Sequence, residues 1–341
     1  MSSSAANAAV PEPFPTEAEV LGRAAGENFP VALRVLPTAL RGHLMAVYGY
    51  ARLVDQLGDD YRGDRLAALD CVETQLRQAE LSQTQRSQTH RSQAEPEPLR
   101  PEDVHPLIWR AVRTAHHVGA DPQLLRDLIE ANRRDQVVHR YETYDQLVDY
   151  CRFSANPVGR LVLAIFGVST PERDARSDAV CTALQIAEHL QDVAEDAVAG
   201  RTYLPADDLA RFGIPDRSWQ APGPATSAQR ALIAFEVARA RHLLAEGYPL
   251  VASLRGWARV AVAAFVAGGV ATLDALADAG FDPLVSTPRP RPRSLALAMA
   301  RIWAHPGAGP AGVGSVAAAP APRGSVAVLP AGRPPLGGGR P

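Results

Sequence analysis

Lysine is missing from this chain: all 35 cationic side chains among its 341 residues are arginine. That bias reads as genome composition rather than function. Cysteine is scarce too. Cys71, Cys151 and Cys181 stand far apart with no C-x-x-C pair, which argues against a disulfide framework or a zinc site and fits a reducing cytoplasm. No long run alternates with period two, so strands are not expected. The longest uncharged apolar run, Val260 to Leu273, has 14 residues rich in Ala and Gly. It is too short to span a bilayer and reads as a buried helix. No basic stretch followed by an apolar one opens the chain, so no signal peptide is expected. No G-x-G-x-x-G follows a strand and no P-loop is present, so no standard site for NADPH or ATP is expected.

What is present is helical. The chain is 46% hydrophobic, and Ala, Leu, Arg, Glu and Gln dominate, which sets an all-α expectation. The formal net charge of −2 conceals an asymmetry. Residues 283–341 hold seven Arg and no acid, leaving 28 Arg against 37 acids in the preceding 282 residues. The body is acidic and its tail basic, and no nucleic-acid partner is expected. A cytoplasmic protein, soluble or at most peripheral at the inner face of the membrane, fits these features.

Punctuation residues divide the chain. Residues 1–15 are small, polar and Pro-containing and read as disordered. Thr16-x-x-Glu19 is a capping box opening a helical domain that runs to 282. A helix is expected over 38–58. Residues 82–101, rich in Gln, Ser, Arg and Pro, read as an exposed insertion. Asp121-Pro122 starts a helix toward Arg140, and Thr143-x-x-Gln146 opens the next. Thr170-Pro171 starts a helix running to about Val198, ended by Gly200. Pro205 to Arg211 reads as a short helix closed by Gly213, followed by helices near 226–246 and 251–279. From Pro283 the basic Pro/Gly/Arg-rich tail reads as disordered, apart from a turn or two at 294–303. Repeated capped helices without strands suggest a bundle around a central cavity.

Two distant segments share one spacing. Tyr48, Arg52, Asp55 and Asp59 stand at offsets 0, 4, 7 and 11, as do Gln185, His189, Asp192 and Asp196. At about 3.6 residues per turn these offsets fall in one wedge of a helix. Each helix thus carries a polar stripe ending in D-x-x-x-D. Two such helices face to face would form a four-carboxylate cage suited to hard divalent cations and the phosphates they bridge. A single D-x-x-x-D is weak, since acids paired with arginines such as Arg52 and Arg201 produce it often. Two in matching registers are much less readily accidental. A diphosphate held beside such ions leaves more easily, because its developing charge is neutralised. Arg52 can add a bidentate phosphate contact or simply neutralise Asp55. Tyr150 opens a segment whose small residues, Ser154, Ala155 and Gly159, admit close approach of a backbone or a bulky ligand. Tyr150 alone is otherwise a core tyrosine with a satisfied hydroxyl. His189, a lone histidine, reads as structural before ligand.

These motifs, in order, resemble the squalene/phytoene synthase family. They are Tyr48-x-x-x-Arg52-x-x-Asp55-x-x-x-Asp59, Arg140-Tyr141, Tyr150-Cys151, Leu184-Gln185-x-x-x-x-Gln191-Asp192-Val193-x-x-Asp196 and Gly200-Arg201-x-Tyr203-Leu204-Pro205. Glu27 to Ala32, Asp135 to Val138 and Ser154 to Arg160 are most similar to its hydroxysqualene synthase branch. The resemblance implies an isoprenoid-synthase helical bundle with a prenyl chain in an apolar tunnel. By it, Asp55, Asp59, Asp192 and Asp196, with Glu188, would hold two or three Mg²⁺. Tyr48, Arg52, Gln185 and Arg201 would contact diphosphate, Asn28 and Phe29 would touch substrate, and Tyr150 would sit near the reacting carbons beside Arg52 and Tyr48. Four positions depart from relatives: Gln56 follows Asp55 where many have a second acid, Glu188 replaces a metal-binding Asn, Gln191 an Arg, and Asn156 a Gly.

The resemblance implies Mg²⁺-dependent ionisation of presqualene diphosphate with water capture, giving hydroxysqualene without NADPH in the hopanoid pathway. Two alternatives stay open: head-to-head condensation of two farnesyl diphosphates, and a non-catalytic scaffold for other enzymes of that pathway. The basic tail is either an inert extension or a weak attraction to anionic lipid.

Overall fold

The computed structural model describes residues 14–22, 36–89 and 104–304. Its helices are α1 (Glu17–Gly22), α2 (Thr38–Asp59), α3 (Arg65–Thr89), α4 (Pro106–Val118), α5 (Gln123–Asp135), α6 (Tyr144–Ser154) and α7 (Asn156–Ile165). They continue with α8 (Pro171–Gln191), α9 (Val193–Val198), α10 (Ala206–Arg211), α11 (Ser227–Gly247), α12 (Pro249–Ser253), α13 (Gly256–Asp278) and α14 (Pro292–Ala304). Among the described residues there is no strand, only an isolated bridge between Arg140 and Thr202. The all-α bundle expected from composition is what forms.

Local chemistry sets several starts. The Thr16 amide donates to Glu19 Oε2 at 2.7 Å and the Glu19 amide donates back to Thr16 Oγ1, the reciprocal pairing of a capping box. Thr143 and Thr170 accept from the amides of Gln146 and Arg173, opening α6 and α8. Thr226 and Gln229 form a further capping box at α11.

Side-chain packing forms two apolar clusters. One gathers α1 to α5 with Leu161, Val162 and Ile165 of α7. The other gathers α6 and α8 to α14 with Leu163 of α7. Helix α7 is therefore the seam, and the cavity described below opens along it. Helix α13 is long and apolar enough to cross a membrane. Its Ala263, Val266, Ala267 and Leu273 are buried in the bundle, as expected of a core helix apolar on all sides.

Four expectations need correction. Helix α3 continues through the start of the expected 82–101 insertion to Thr89, because the inward stripe of Leu69, Val72 and Leu76 goes on in small side chains, Ala79 and Ser82. The remainder, 90–103, lies outside the described residues. The helix begun near Asp121 stops at Asp135, and Arg140 lies in the bridge to Thr202. The helix expected from Thr170 to Val198 breaks at Asp192, whose φ of −99° and ψ of 11° turn the chain between α8 and α9. The turn or two expected at 294–303 is a longer helix, α14, which buries Ala298 and Ile302. Residues 1–13 and 305–341, both read as disordered, lie outside the described residues.

Candidate active site

Helix α2 presents Tyr48, Arg52, Asp55 and Asp59 along one side as its stripe predicts. Helix α5 crosses behind it. Asn132 on α5 donates to Asp55 Oδ1 at 3.2 Å, and Gln136 donates to the Gly58 carbonyl at 3.0 Å. This contact needs a glycine, because a Cβ at Gly58 would lie 2.1 Å from Asn132 Oδ1. Arg52 approaches Asp55 at 4.0 Å, so its guanidinium is not locked onto that carboxylate.

Arg201 brings the two stripes together. It follows Gly200, whose φ of 79° turns the chain back after α9. Its Nη1 donates to Asp59 Oδ1 at 2.8 Å and its Nε lies 3.8 Å from Asp196 Oδ1. Asp59 and Asp196, 137 positions apart in sequence, thus meet across one guanidinium. Enclosure pushes the Asp196 carboxyl up to about 7, opposed by Arg201 and reinforced by Asp192 and Asp59. Asp192 is raised by enclosure and by Glu195, against Arg289. Asp55 is also raised, by enclosure and then by Asp59 and Asp135, against Asn132 and Arg52. More negative charge is gathered here than the local arginines neutralise.

The four-carboxylate cage is not closed. Among the described residues no three acidic, His or Cys side chains stand close enough to share one ion, since like charges keep apart and Arg201 lies between two of them. The residues nonetheless fit Mg²⁺. The donors are carboxylate oxygens throughout, and this ion is usually held by one or two carboxylates with phosphate oxygens completing its shell.

A sixth carboxylate was not legible as a site residue. Asp135, the last residue of α5, accepts from Tyr150 at 2.6 Å and from Tyr203 at 3.0 Å. Enclosure pushes it up to about 6, opposed by those two hydroxyls. Tyr141 packs against both tyrosines, with ring centroids 5.5 and 5.9 Å away. His189 stacks on Tyr203 at 3.7 Å. Burial, helped by Arg201, holds the imidazole down at about 3, so His189 is a neutral spacer. Tyr150 thus has its hydroxyl committed to Asp135, at the base of the aspartate cleft. Tyr141, Tyr203 and Asp135 all stood in recognised motifs, which was the only signal available.

Beside this cleft lies an apolar cavity of about 270 Å³. It follows α8 from Glu188 and Gln185 back to Ser177, walled by Val158, Val162, Leu184 and Phe265. Gly159 lets α7 lie against α8, because a Cβ there would come within 2.5 Å of Ser177 Oγ and Cys181 Sγ. Gln185 contacts His189 at 3.3 Å, and Glu188 is exposed at the cavity's polar end. The structure therefore gathers Arg52, Asp55, Asp59, Gln185, Glu188, Asp192, Asp196 and Arg201 around one cleft and cavity. Tyr48 is buried on the same face of α2. Asn28 and Phe29 lie outside the described residues.

Comparison with known proteins agrees with this geometry. The squalene/phytoene synthase family model matches residues 23–296. A hydroxysqualene synthase of Rhodopseudomonas palustris is 35% identical over 237 residues, 68% of this chain and 72% of that protein. One of Zymomonas mobilis subsp. mobilis is 37% identical over 193 residues, 55% of this chain, and the match spans only 57% of that protein. The crystal structure of squalene synthase HpnC from Alicyclobacillus acidocaldarius superposes with a TM-score of 0.64 at 38% identity, covering 78% of this chain and 95% of that one. Given the family match over most of its length, and two aspartate stripes meeting beside an apolar cavity, the chain belongs to the squalene/phytoene synthase family of isoprenoid-diphosphate-processing synthases.

Proposed function

We propose that this protein converts presqualene diphosphate to hydroxysqualene with water as the nucleophile. The observation that carries this reading is the meeting of both aspartate stripes at Arg201, beside the polar end of a cavity otherwise apolar. The similarity to hydroxysqualene synthases supports the branch. The hydrocarbon lies among Val158, Val162, Leu184 and Phe265, and the diphosphate faces Asp55, Asp59, Asp192 and Asp196. Those four, with Glu188, would hold Mg²⁺, which supplies positive charge to the departing diphosphate. Arg52, one turn before Asp55 on α2, would contact a phosphate oxygen, with Tyr48 and Gln185 at its flanks. Arg201 keeps the two acidic segments at fixed separation. Departure of diphosphate leaves a cyclopropylcarbinyl cation. The Tyr150 ring, oriented by the bond to Asp135, stabilises it through its π face. The apolar wall excludes bulk water until rearrangement is complete, and one water then adds, releasing a proton.

The reaction belongs in the cytoplasm at the inner face of the membrane, because substrate and product are long hydrocarbons, and other enzymes of the hopanoid pathway would act beside it. Purified protein with Mg²⁺ should give hydroxysqualene from presqualene diphosphate in ¹⁸O-labelled water, with label in the hydroxyl and no dependence on NADPH. Product from farnesyl diphosphate alone would favour head-to-head condensation instead.

A further inference from the structure

Helix α14 carries an outward face unlike that of a solvated helix. Ala298 and Ile302 turn inward onto the bundle. Ala296, Leu297, Ala300 and Ala304 face out, with Arg293 and Arg301 beside them. Leu297 is 52% exposed and Trp303 51%. No acid occurs anywhere on this helix, whereas a solvated outer face is normally polar.

The tip of the bundle extends the pattern. The Arg259 guanidinium lies 4.7 Å from the centroid of the Trp303 ring. Arg259 belongs to the first turn of α13 and Trp303 to the last of α14, so the two helices run antiparallel and share an end. Trp257, 43% exposed, and Arg255 stand at that end too. Residues 249–259 and α14 itself, 292–304, together hold four arginines and no acid. Of the acids preceding these stretches, Glu246 pairs with His242 at 3.1 Å and Asp282 with Arg230 at 2.9 Å.

We propose that the α13–α14 tip and the outer face of α14 dock on an anionic lipid bilayer. Exposed Trp and Leu among arginines, with acids absent, is the composition of an interfacial helix. Tryptophan rings settle at headgroup depth, arginine stems lie along the apolar surface, and guanidinium groups reach lipid phosphates. The position agrees. The apolar cavity extends along α8 away from Glu188 toward Leu250 and Val262, and Val262 follows Trp257 by five residues on α13. The docked tip therefore adjoins the hydrocarbon end, while the aspartates stand at the other. This inference is independent of which reaction the cleft performs.

The test is flotation of the full-length protein with vesicles of phosphatidylcholine alone or mixed equally with phosphatidylglycerol. The expected result is binding to the anionic vesicles only, reversed by salt. Leu297→Ser with Trp303→Ser should lower the partition coefficient about tenfold or more. Arg293→Gln with Arg301→Gln should lower it roughly 25-fold, with melting temperatures unchanged. Should the apolar pair fail to fold, the arginine pair carries the same test. Equal binding to neutral vesicles would overturn the proposal. So would unchanged binding in both variants, which would assign attachment to another part of the chain. Finally, a wild-type dimer that Leu297→Ser with Trp303→Ser turns into a monomer, without vesicle binding by either, would make the face a contact between two copies.

Discussion

Glu236 offers a quantitative test of how the chain segment carrying Arg201 is held. That segment, residues 200–205, runs directly into α10, where buried Asp208 accepts from Arg239 at 2.5 Å. Glu236 on α11 is 1% exposed, contacts Arg239 at 3.2 Å and stands beside the Asp208 carboxylate. Burial pushes its carboxyl from 4.5 up to about 8, opposed by Arg239 and reinforced by Asp208. The folded protein thus holds this proton more tightly than the unfolded chain. The associated stability is fully present below about pH 4.5 and is lost as pH rises through about 8. The gap of roughly 3.5 units, at about 1.4 kcal/mol each, sets an upper bound near ~5 kcal/mol. Relaxation and water penetration reduce the expected effect to about 2 kcal/mol. Glu236→Gln stays neutral throughout and can still accept from Arg239 and donate to Asp208. Urea unfolding of both proteins from pH 5 to 9 should show similar stability at pH 5 and the variant ahead by about 2 kcal/mol at pH 9. Parallel pH profiles, or a variant weaker at every pH, would refute the buried neutral carboxyl.

Gly58→Ala should evict the Asn132 amide from its place beside Asp55, costing about 1–3 kcal/mol in unfolding experiments and at least tenfold in turnover. Adding Asn132→Ala should restore the stability but not the turnover. Tyr150→Phe removes a 2.6 Å bond to Asp135 and should cost about 1–3 kcal/mol, with kcat falling and KM nearly constant. Ala155→Phe, in the cavity wall, should raise KM for the prenyl substrate while inhibition by inorganic diphosphate stays unchanged, measured in the same steady-state assay.

Much of the bundle was readable because local chemistry decides it. Thr16, Thr143 and Thr170 cap their helices through their own side chains, and Gly200 and Gly213 end the α9 and α10 segments with positive φ. The paired stripes were readable because helix periodicity fixes which side chains share a face. What was hidden depends on tertiary contact. The inward side of α3 beyond Leu76 is built from Ala79 and Ser82, which no apolar pattern reveals. The arginines and prolines around α14 mask a short run of strong helix formers, Ser294 to Ala304, that folds because α13 offers it an apolar face. Asp135 is one acid among many until Tyr150 and Tyr203, 15 and 68 positions away, converge on it. Arg201 could be paired with either stripe from sequence; its joining of Asp59 to Asp196 required the fold.

The central claim is that both aspartate pairs act on one diphosphate. The direct measurement is release of inorganic diphosphate from presqualene diphosphate by Asp55→Asn and by Asp192→Asn, each with its melting temperature. The account predicts that either change alone lowers turnover by about 100-fold or more, with the fold intact and no less stable, because each removes a carboxylate from a cleft crowded with like charge. Either variant retaining more than about a tenth of wild-type turnover while folded would contradict it.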